Sequence, residues 1–596
     1  MSLKFDGKTI VVTGSGTGIG QAIAKRYAEA GANIVLMGRR KEPLEQTAQI
    51  LNDIIKNAGS KGRVATFPGV DVSDEEGINS MFEGVKKQFG RVDIIVNNAG
   101  VSGPVKTFTN ASVKEFRECI AIHLTGTFWT AASGLKAMEK GGKIITISTF
   151  FSEENRYEQR PYRFRTPYTA SQGAKNRLAE CLAWELAERG IRSVATNPGP
   201  VHSDRIYKTV YPKAAAEFLR VGGYPGLASP EIEVVTAKAL PFLGDAEGVV
   251  AKACRDAAAD IAKKRGKEDE AALAELVKTV HGALTKMQEI AEKIQGNTSK
   301  MIVDGEFLSQ DEVAEMVMTL SDEKMSKLLN GRVIPNDRVF YPVKPIVGTG
   351  VDVLAESELK GKVIVFITTS SAAKDIERVK KTAEIAQAAG AKQVIVLYSN
   401  SADEAHFKEF HSHAIDFMIE DAVRRIFNAA KTHFGQIDSV IHFTGDSDYN
   451  AAFSTMARKQ WDSLIDNFLY IPGLIVKEAV IAMAPSGALE EPAKFKGTKG
   501  TIVIVGPDAP TGKKISGLLR ARADVFRGAL RPYTATTNQE LGDVLGSNVK
   551  LHLVLAGNSE GAEPNLGRLH NSILSLAAGT ALKKNEAIFY IDEARA

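Results

Sequence analysis

At 596 residues the chain is too long for one compact domain, and the usual ~150 residues per domain suggests about four domain equivalents. Apolar residues at 44% and charged residues at 24% exclude wholesale disorder and fibrous architectures, and a net charge of +4 gives no electrostatic reason to expect a nucleic-acid or membrane partner. Cys119, Cys181 and Cys254 are too few and too scattered for a disulfide framework or a metal knuckle, no run of ~18 apolar residues occurs, and the N-terminus runs straight into a strand pattern, so a cytoplasmic protein is expected.

Residues 9–13 form a short apolar run ending in Gly14, Gly16, Gly18 and Gly20. A helical pattern follows at Ile23, Ala24 and Tyr27, and Gly31 stops it before a second apolar run at Ile34–Met37. The alternation continues through Ile94–Val96, a helical stretch near Phe116–Ala131, Ile144–Ile147, a helix around Lys175–Arg189, and Val194–Thr196. Strands spaced by helices in this way predict an α/β protein with a parallel, doubly wound sheet.

After Asp204 the strand pattern stops for about a hundred residues. From Leu273 the apolar positions Leu276, Val280, Ala283, Met287, Ile290 and Ile294 step by threes and fours, which describes a helix with one apolar stripe. Packing within its own domain is the expected use of that stripe, with pairing between chains as the alternative. Ser309 and Glu312 have capping-box spacing ahead of Val313–Leu320, and Gly331–Pro335 reads as one more strand. Residues 206–308 are therefore a helical insertion before the last helix and strand of a first domain spanning residues 1–345.

From about Lys360 the opening pattern returns. Gly361-Lys-Val-Ile-Val-Phe-Ile echoes Gly7-Lys-Thr-Ile-Val-Val-Thr, and Ala389-Gly-Ala-Lys-Gln-Val-Ile-Val-Leu echoes Ala30-Gly-Ala-Asn-Ile-Val-Leu. The segment from Phe434 to Gly445 matches that from Phe89 to Gly100. Residues 351–596 are thus expected to be a second, degenerate Rossmann domain in tandem. Its glycines are replaced by Thr369-Ser-Ser-Ala-Ala-Lys, and no tyrosine-bearing helix start follows Ile502–Gly506.

A strand feeding a helix through Gly14, Gly18 and Gly20 exposes backbone N–H groups and a positive helix end where no Cβ blocks a pyrophosphate, so a dinucleotide is expected there. The tip of the second strand carries Gly38-Arg39-Arg40-Lys41 in place of a carboxylate, which favours NADPH over NADH; a solvated basic turn is the alternative.

Thr13–Gly20 with its spaced glycines, Asp71-Val72, Asn97-Asn98-Ala99-Gly100, Tyr168 heading a helix, and Pro198-Gly199 together resemble the short-chain dehydrogenase/reductase family over residues 1–205 and 305–340. The resemblance implies hydride transfer between NAD(P)H and a carbonyl or alcohol. It also implies that Thr13, Gly14, Ser15, Thr17, Gly18, Ile19 and Gly20 cradle the coenzyme and that Asp71 and Val72 hold its adenine. Asn97, Ala99 and Gly100 would line the cleft, and Pro198, Gly199 and Val201 would touch the nicotinamide. The tandem layout, Ser148-Thr-Phe-Phe, the long loop to Tyr168, and Pro198-Gly-Pro-Val-His-Ser-Asp-Arg resemble the C-terminal half of bifunctional malonyl-CoA reductases. That likeness implies reduction of malonyl-CoA to malonic semialdehyde with release of CoA.

Reduction of a carbonyl needs an acid, a donor to fix the oxygen, and a cation that favours the phenolate. By the family pattern Tyr168 is the acid and Thr149 the donor. The family lysine falls on Gln172 and the relay asparagine on His123, which is expected either to pass a proton near neutral pH or to be a satisfied core residue. Lys175 lies further along the same helix face. Arg165 and Arg205 match arginines of the malonyl-CoA reductases and suit an anionic substrate, whereas Arg160 and Arg163 read equally as surface charge. The expected partners are a small-molecule substrate and further copies of the chain in a homo-oligomer. Reduction of a free ketone or aldehyde, or NADP binding without turnover, are the alternative functions.

Overall fold

The apolar runs become strands because helices cover both faces of each sheet, leaving no solvent side for polar alternation. In the first sheet these are β1 (Thr9–Thr13), β2 (Asn33–Gly38), β3 (Val64–Pro68), β4 (Val92–Asn97), β5 (Met138–Ile147), β6 (Arg192–Pro198) and β7 (Val333–Asn336). They pair in parallel in the order β3-β2-β1-β4-β5-β6-β7. The order reverses between β1 and β4, which opens a crevice at the carboxyl ends of the strands. The computed structural model describes residues 4–153, 159–203, 205–267, 269–339, 347–354, 358–445, 449, 451–509, 517–557, 565–579 and 587–591; Asp204 lies outside them.

Two helices differ from the sequence reading. The stretch near Phe116–Ala131 is a helix Val113–Ile120 entered through the Ser112/Glu115 capping box, a π-helical turn at Ala121–Thr125, and a helix Gly126–Gly134. The helix whose apolar pattern is read around Lys175–Arg189 runs from Thr166, with Pro167 and Tyr168 in its first turn as the family motif implies, to Glu185. Sixteen of its twenty residues are buried, so it has no polar face and its start leaves no apolar periodicity to read.

The insertion forms helices Tyr211–Gly222, Ser229–Lys238, Glu247–Arg265 and Glu270–Ser299. Leu276, Val280, Ala283 and Met287 are buried against the other three helices, so the apolar stripe is used within the chain. The ends of the insertion are stitched together by a parallel bridge between Val201 and Leu308, with Leu308 N donating to Pro200 O at 2.9 Å. The Ser309/Glu312 box then starts the helix Gln310–Ser321 as its spacing predicts.

The second sheet holds β8 (Val347–Gly348), β9 (Val363–Thr368), β10 (Gln393–Tyr398), β11 (His411–Ala414), β12 (Ser439–Phe443), β13 (Lys499–Val505), β14 (Asn548–Ala556) and β15 (Ile588–Ile591), in the order β11-β10-β9-β12-β13-β14-β15-β8. From β11 to β15 this repeats the connectivity of the first sheet. β8 is an extra edge strand that begins just ahead of residue 351. The duplication extends to local detail, since a π-helical turn recurs at Asp466–Tyr470 and puts Phe468 where the first copy has His123.

The halves meet where the helix Thr166–Glu185 crosses the helix Gly517–Gln539. A Cβ on Gly173 would lie 2.1 Å from Gly528 O, so backbone touches backbone at the crossing and neither glycine has room for a side chain. One apolar core runs through both halves; in it the Phe128 and Trp461 rings stack at 3.9 Å.

Candidate active site

A cleft of about 1100 Å³ opens at the carboxyl ends of β1 and β4. Its floor is the turn after β1. A Cβ on Gly14 would approach Ala99 Cα to 3.0 Å, and one on Gly20 would meet Gly14 O at 2.4 Å, so the turn, the β4 loop and the helix Gly18–Glu29 can close up only around glycines. That helix has no acidic residue in its first turn, and its N-cap Thr17 makes no side-chain capping bond among the described residues, which leaves its positive end facing the cleft. The second copy fills the same place with its own groups. Ser370 Oγ donates to Asp375 at 2.6 Å in the first turn of the helix Ala373–Ala388, and Ser371 Oγ donates to Asp403 at 2.7 Å. A carboxylate built into the chain thus sits where an anion would bind.

Gly14, Thr17, Gly18, Ile19, Arg39, Arg40, Asp71, Val72, Ala99, Gly100, Pro198, Gly199 and Val201 all line the cleft, as do Thr149, Tyr168, Gln172, His123, Arg165 and Arg205. Thr13, Ser15, Gly20 and Asn97, expected as coenzyme contacts, are off its wall. Thr13 Oγ accepts from the N–H groups of Asn98 at 2.9 Å and Ala99 at 2.8 Å, tying β1 to the β4 loop. Ser15 Oγ accepts from Met37 N at 3.0 Å, and Asn97 is buried within β4. These residues shape the cleft from behind. Arg39 and Arg40 are exposed at the end of β2, with Arg39 3.6 Å from Asp71.

Tyr168 stands in the first turn of its helix with Arg165 and His123 against its ring. The Arg165 guanidinium lies 4.0 Å from the centre of its ring and 4.9 Å from that of Tyr162, and the His123 ring meets Tyr168 edge-on at 5.1 Å. His123 reaches this place because the π-helical turn rotates it inward and Gly100 leaves room; a Cβ there would lie 2.6 Å from the imidazole. The expected titrating relay is corrected by its surroundings. Burial, aided by the positive charge of Lys175, pushes His123 down to about 3, while its Nε2 lies 2.9 Å from Val101 O, so the ring is neutral over ordinary pH.

Gln172 is buried on the cleft wall with its side-chain oxygen unpartnered among the described residues, and its backbone carbonyl accepts from Ser148 Oγ at 2.9 Å. Lys175, three residues further along the helix, is a buried cation that also lines the cleft. Its Nζ donates to the carbonyl of Ile147 at the end of β5, and burial pulls it down to about 7. Arg160 and Arg163 are absent from the cleft wall; they pair with Asp337 at 2.8 Å and with Asp543 of the second half. The far wall is aromatic and escaped the sequence reading. Phe151 stacks on Tyr162 at 3.8 Å, and the insertion adds Tyr207 and Tyr211. Because these rings come from segments distant in sequence, no local pattern joins them.

This fold and cleft define an oxidoreductase of the Rossmann type. The short chain dehydrogenase family profile matches residues 8–211, and that of enoyl-(acyl carrier protein) reductases matches residues 379–493. Glucose 1-dehydrogenase 2 of Bacillus subtilis (strain 168) is 32% identical over 236 residues, covering 39% of this chain and 86% of that protein. The 7alpha-hydroxysteroid dehydrogenase of Escherichia coli (strain K12) is 28% identical over 232 residues, covering 39% and 85%. The solved N-domain and C-domain of bacterial malonyl-CoA reductase, each with NADP, share the fold with TM-scores of 0.69 and 0.71 at 17% identity. They cover 99% and 98% of this chain and 98% and 99% of their own. The chain belongs to the short-chain dehydrogenase/reductase family.

Proposed function

We propose that the protein is an NADPH-dependent reductase of an acyl-CoA thioester or its aldehyde, with malonyl-CoA, reduced to malonic semialdehyde, as the substrate. The observation that carries this reading is the meeting in one cleft of the glycine turn, the Arg39–Arg40 pair at the β2 tip, and a phenol flanked by the Arg165 guanidinium. The coenzyme fits these residues. The uncapped helix end and close-packed glycines suit a pyrophosphate, Arg39 and Arg40 suit a 2′-phosphate, and Asp71 with Val72 suits the adenine. Ala99, Gly100, Pro198, Gly199 and Val201 are the walls left for the ribose and nicotinamide.

NADPH supplies the hydride when bound. Thr149 fixes the substrate oxygen and Tyr168 gives it a proton, so a thioester becomes a hemithioacetal; the Tyr168 phenolate, stabilised by the Arg165 charge, then takes the hydroxyl proton back as the C–S bond breaks and CoA leaves as a thiolate that solvent protonates. Arg165 and Arg205 hold the substrate's anionic groups, and the insertion closes the far end of the cleft with Tyr207 and Tyr211. The fold shared with both malonyl-CoA reductase domains along the whole chain supports a CoA ester. The glucose and steroid dehydrogenase relatives support a second reading, reduction of a free ketone or aldehyde.

The test is NADPH consumption against a panel of acyl-CoAs, ketones and aldehydes, with free thiol measured in parallel. Thiol release matching coenzyme oxidation with malonyl-CoA is expected; oxidation with ketones and no thiol favours the second reading. Tyr168→Phe should lose ~10²-fold or more in kcat while still binding NADPH. Undiminished turnover in that variant removes the acid assignment, and NADPH binding without turnover on any substrate makes the chain a binding protein.

A further inference from the structure

The loop that carries Arg165 and leads into Tyr168 is held from the other half of the molecule. Phe164 has φ of 64°, and with Arg338 it makes up the non-glycine residues at positive φ among the described residues. Such a conformation is costly for a bulky side chain and persists only where the surroundings impose it. Here Lys106 N donates to Phe164 O at 3.1 Å, the Phe164 ring meets Phe218 edge-on at 4.7 Å, and the Phe164 N–H is held by Glu540, fully buried in the π-helical turn that ends the helix Gly517–Gln539. Its Oε1 accepts from Phe164 N at 2.7 Å and from Thr166 Oγ at 3.1 Å, and its Oε2 accepts from Phe108 N at 2.7 Å. Arg165 lies between two of these anchors, and its guanidinium rests on the Tyr168 ring.

The duplication supplies an internal control. Glu185 ends the equivalent helix of the first half and reaches into the second. Its carboxylate accepts from Phe453 N at 2.9 Å and Ser454 N at 2.8 Å, and from Arg522 Nε at 2.6 Å. Phe453 stands in the second copy where Phe108 stands in the first. Each half therefore lends the other a carboxylate. Aligned on the Gly173/Gly528 crossing, however, the second helix has Ala523 at the position of Tyr168, so only Glu540 faces a loop bearing a phenol and a cation.

We infer that Glu540 is a positioning residue for the first half's active site: by fixing the strained Phe164–Thr166 turn it sets the Arg165 guanidinium on Tyr168. The inference rests on the reductase reading above, in which Arg165 binds substrate charge and stabilises the phenolate. The second half is thus a working part of the site as well as a support for it. Two further groups of the same helix act on the same loop. Thr536 Oγ accepts from Tyr162 N at 3.3 Å, and Arg531 grips Glu153 through two bonds of 2.7 and 2.9 Å.

The test compares Glu540→Gln with Glu185→Gln in the full chain. Glutamine keeps the shape, but whichever way the amide turns, its NH2 meets the N–H of Phe108 or of Phe164, whereas the carboxyl, ionised or with its proton on the Thr166 hydroxyl, keeps an oxygen toward each, so the substitution loses an anchor. For Glu540→Gln we expect kcat to fall by about tenfold or more and the KM for the acyl substrate to rise, with NADPH affinity by fluorescence changed less than about twofold. Amide exchange over residues 162–166 should speed up. Glu185→Gln should leave kcat and KM at wild-type values. Should Glu540→Gln fail to fold, Thr166→Val, which removes a single anchor, should show smaller changes in the same direction. Wild-type kcat and KM despite faster exchange at 162–166 would overturn the proposal, as would equal losses of kcat in both glutamine variants. If the wild-type chain reduces nothing, the reductase reading fails, while the exchange data still report whether Glu540 holds the turn.

Discussion

Lys175→Met separates what the lysine costs the fold from what it does in the cleft. The ammonium is enclosed and donates to Ile147 O, and burial moves it from an ordinary 10.5 to about 7. At roughly 1.4 kcal/mol per pH unit, that gap is a penalty on the folded state of about 5 kcal/mol near neutral pH, taken as an upper bound. Methionine occupies nearly the same volume without the penalty but strands the Ile147 carbonyl, which gives back about 1–3 kcal/mol. The variant should therefore be more stable at neutral pH by about 2 kcal/mol. The sign of the pH dependence follows from the protons bound. The unfolded chain keeps the lysine proton up to about 10.5, whereas the folded chain releases it near 7, so this residue makes wild-type stability rise with pH through that window. Glu540, pushed up to about 8 by burial, slopes the opposite way but is present in both proteins and cancels. Urea midpoints measured from neutral to mildly alkaline pH should show the advantage of the methionine variant shrinking as pH rises. Two curves of equal slope would refute the reasoning.

Replacing Arg39 and Arg40 by alanine should weaken NADPH binding by about tenfold or more and leave NADH unaffected, as measured by fluorescence titration; equal losses for both coenzymes would remove the 2′-phosphate from the β2 tip. Met287→Asp places a carboxylate in the core of the insertion, where the methionine is fully buried, and should lower the melting temperature with no change of mass in light scattering. A fall in mass would return the stripe to a contact between chains.

Much of the architecture is legible because the sequence signals are local. The apolar runs at β1, β2 and β4, the Ser309/Glu312 box and the repeat from Phe434 to Gly445 each declare themselves within a few residues. The start at Thr166 is marked only by the Tyr168 motif, because a helix buried on all sides carries no stripe. The site divides in the same way. The glycine turn, Arg39–Arg40 and Tyr168 are motifs, and the fold brings them to one cleft. The neutrality of His123 depends on burial and on Lys175, and the anchoring of Phe164 depends on a residue 376 positions away; neither leaves a trace in the local pattern.

The crossing of Gly173 on Gly528 also bears on behaviour at low concentration. An enzyme that borrows a loop clamp from a separate subunit loses it on dilution, and its specific activity falls as the assembly parts. Here the lender is tethered to the borrower by the chain itself, at an effective concentration in the millimolar range or above. Turnover per molecule should therefore hold constant down to the most dilute sample that can be assayed.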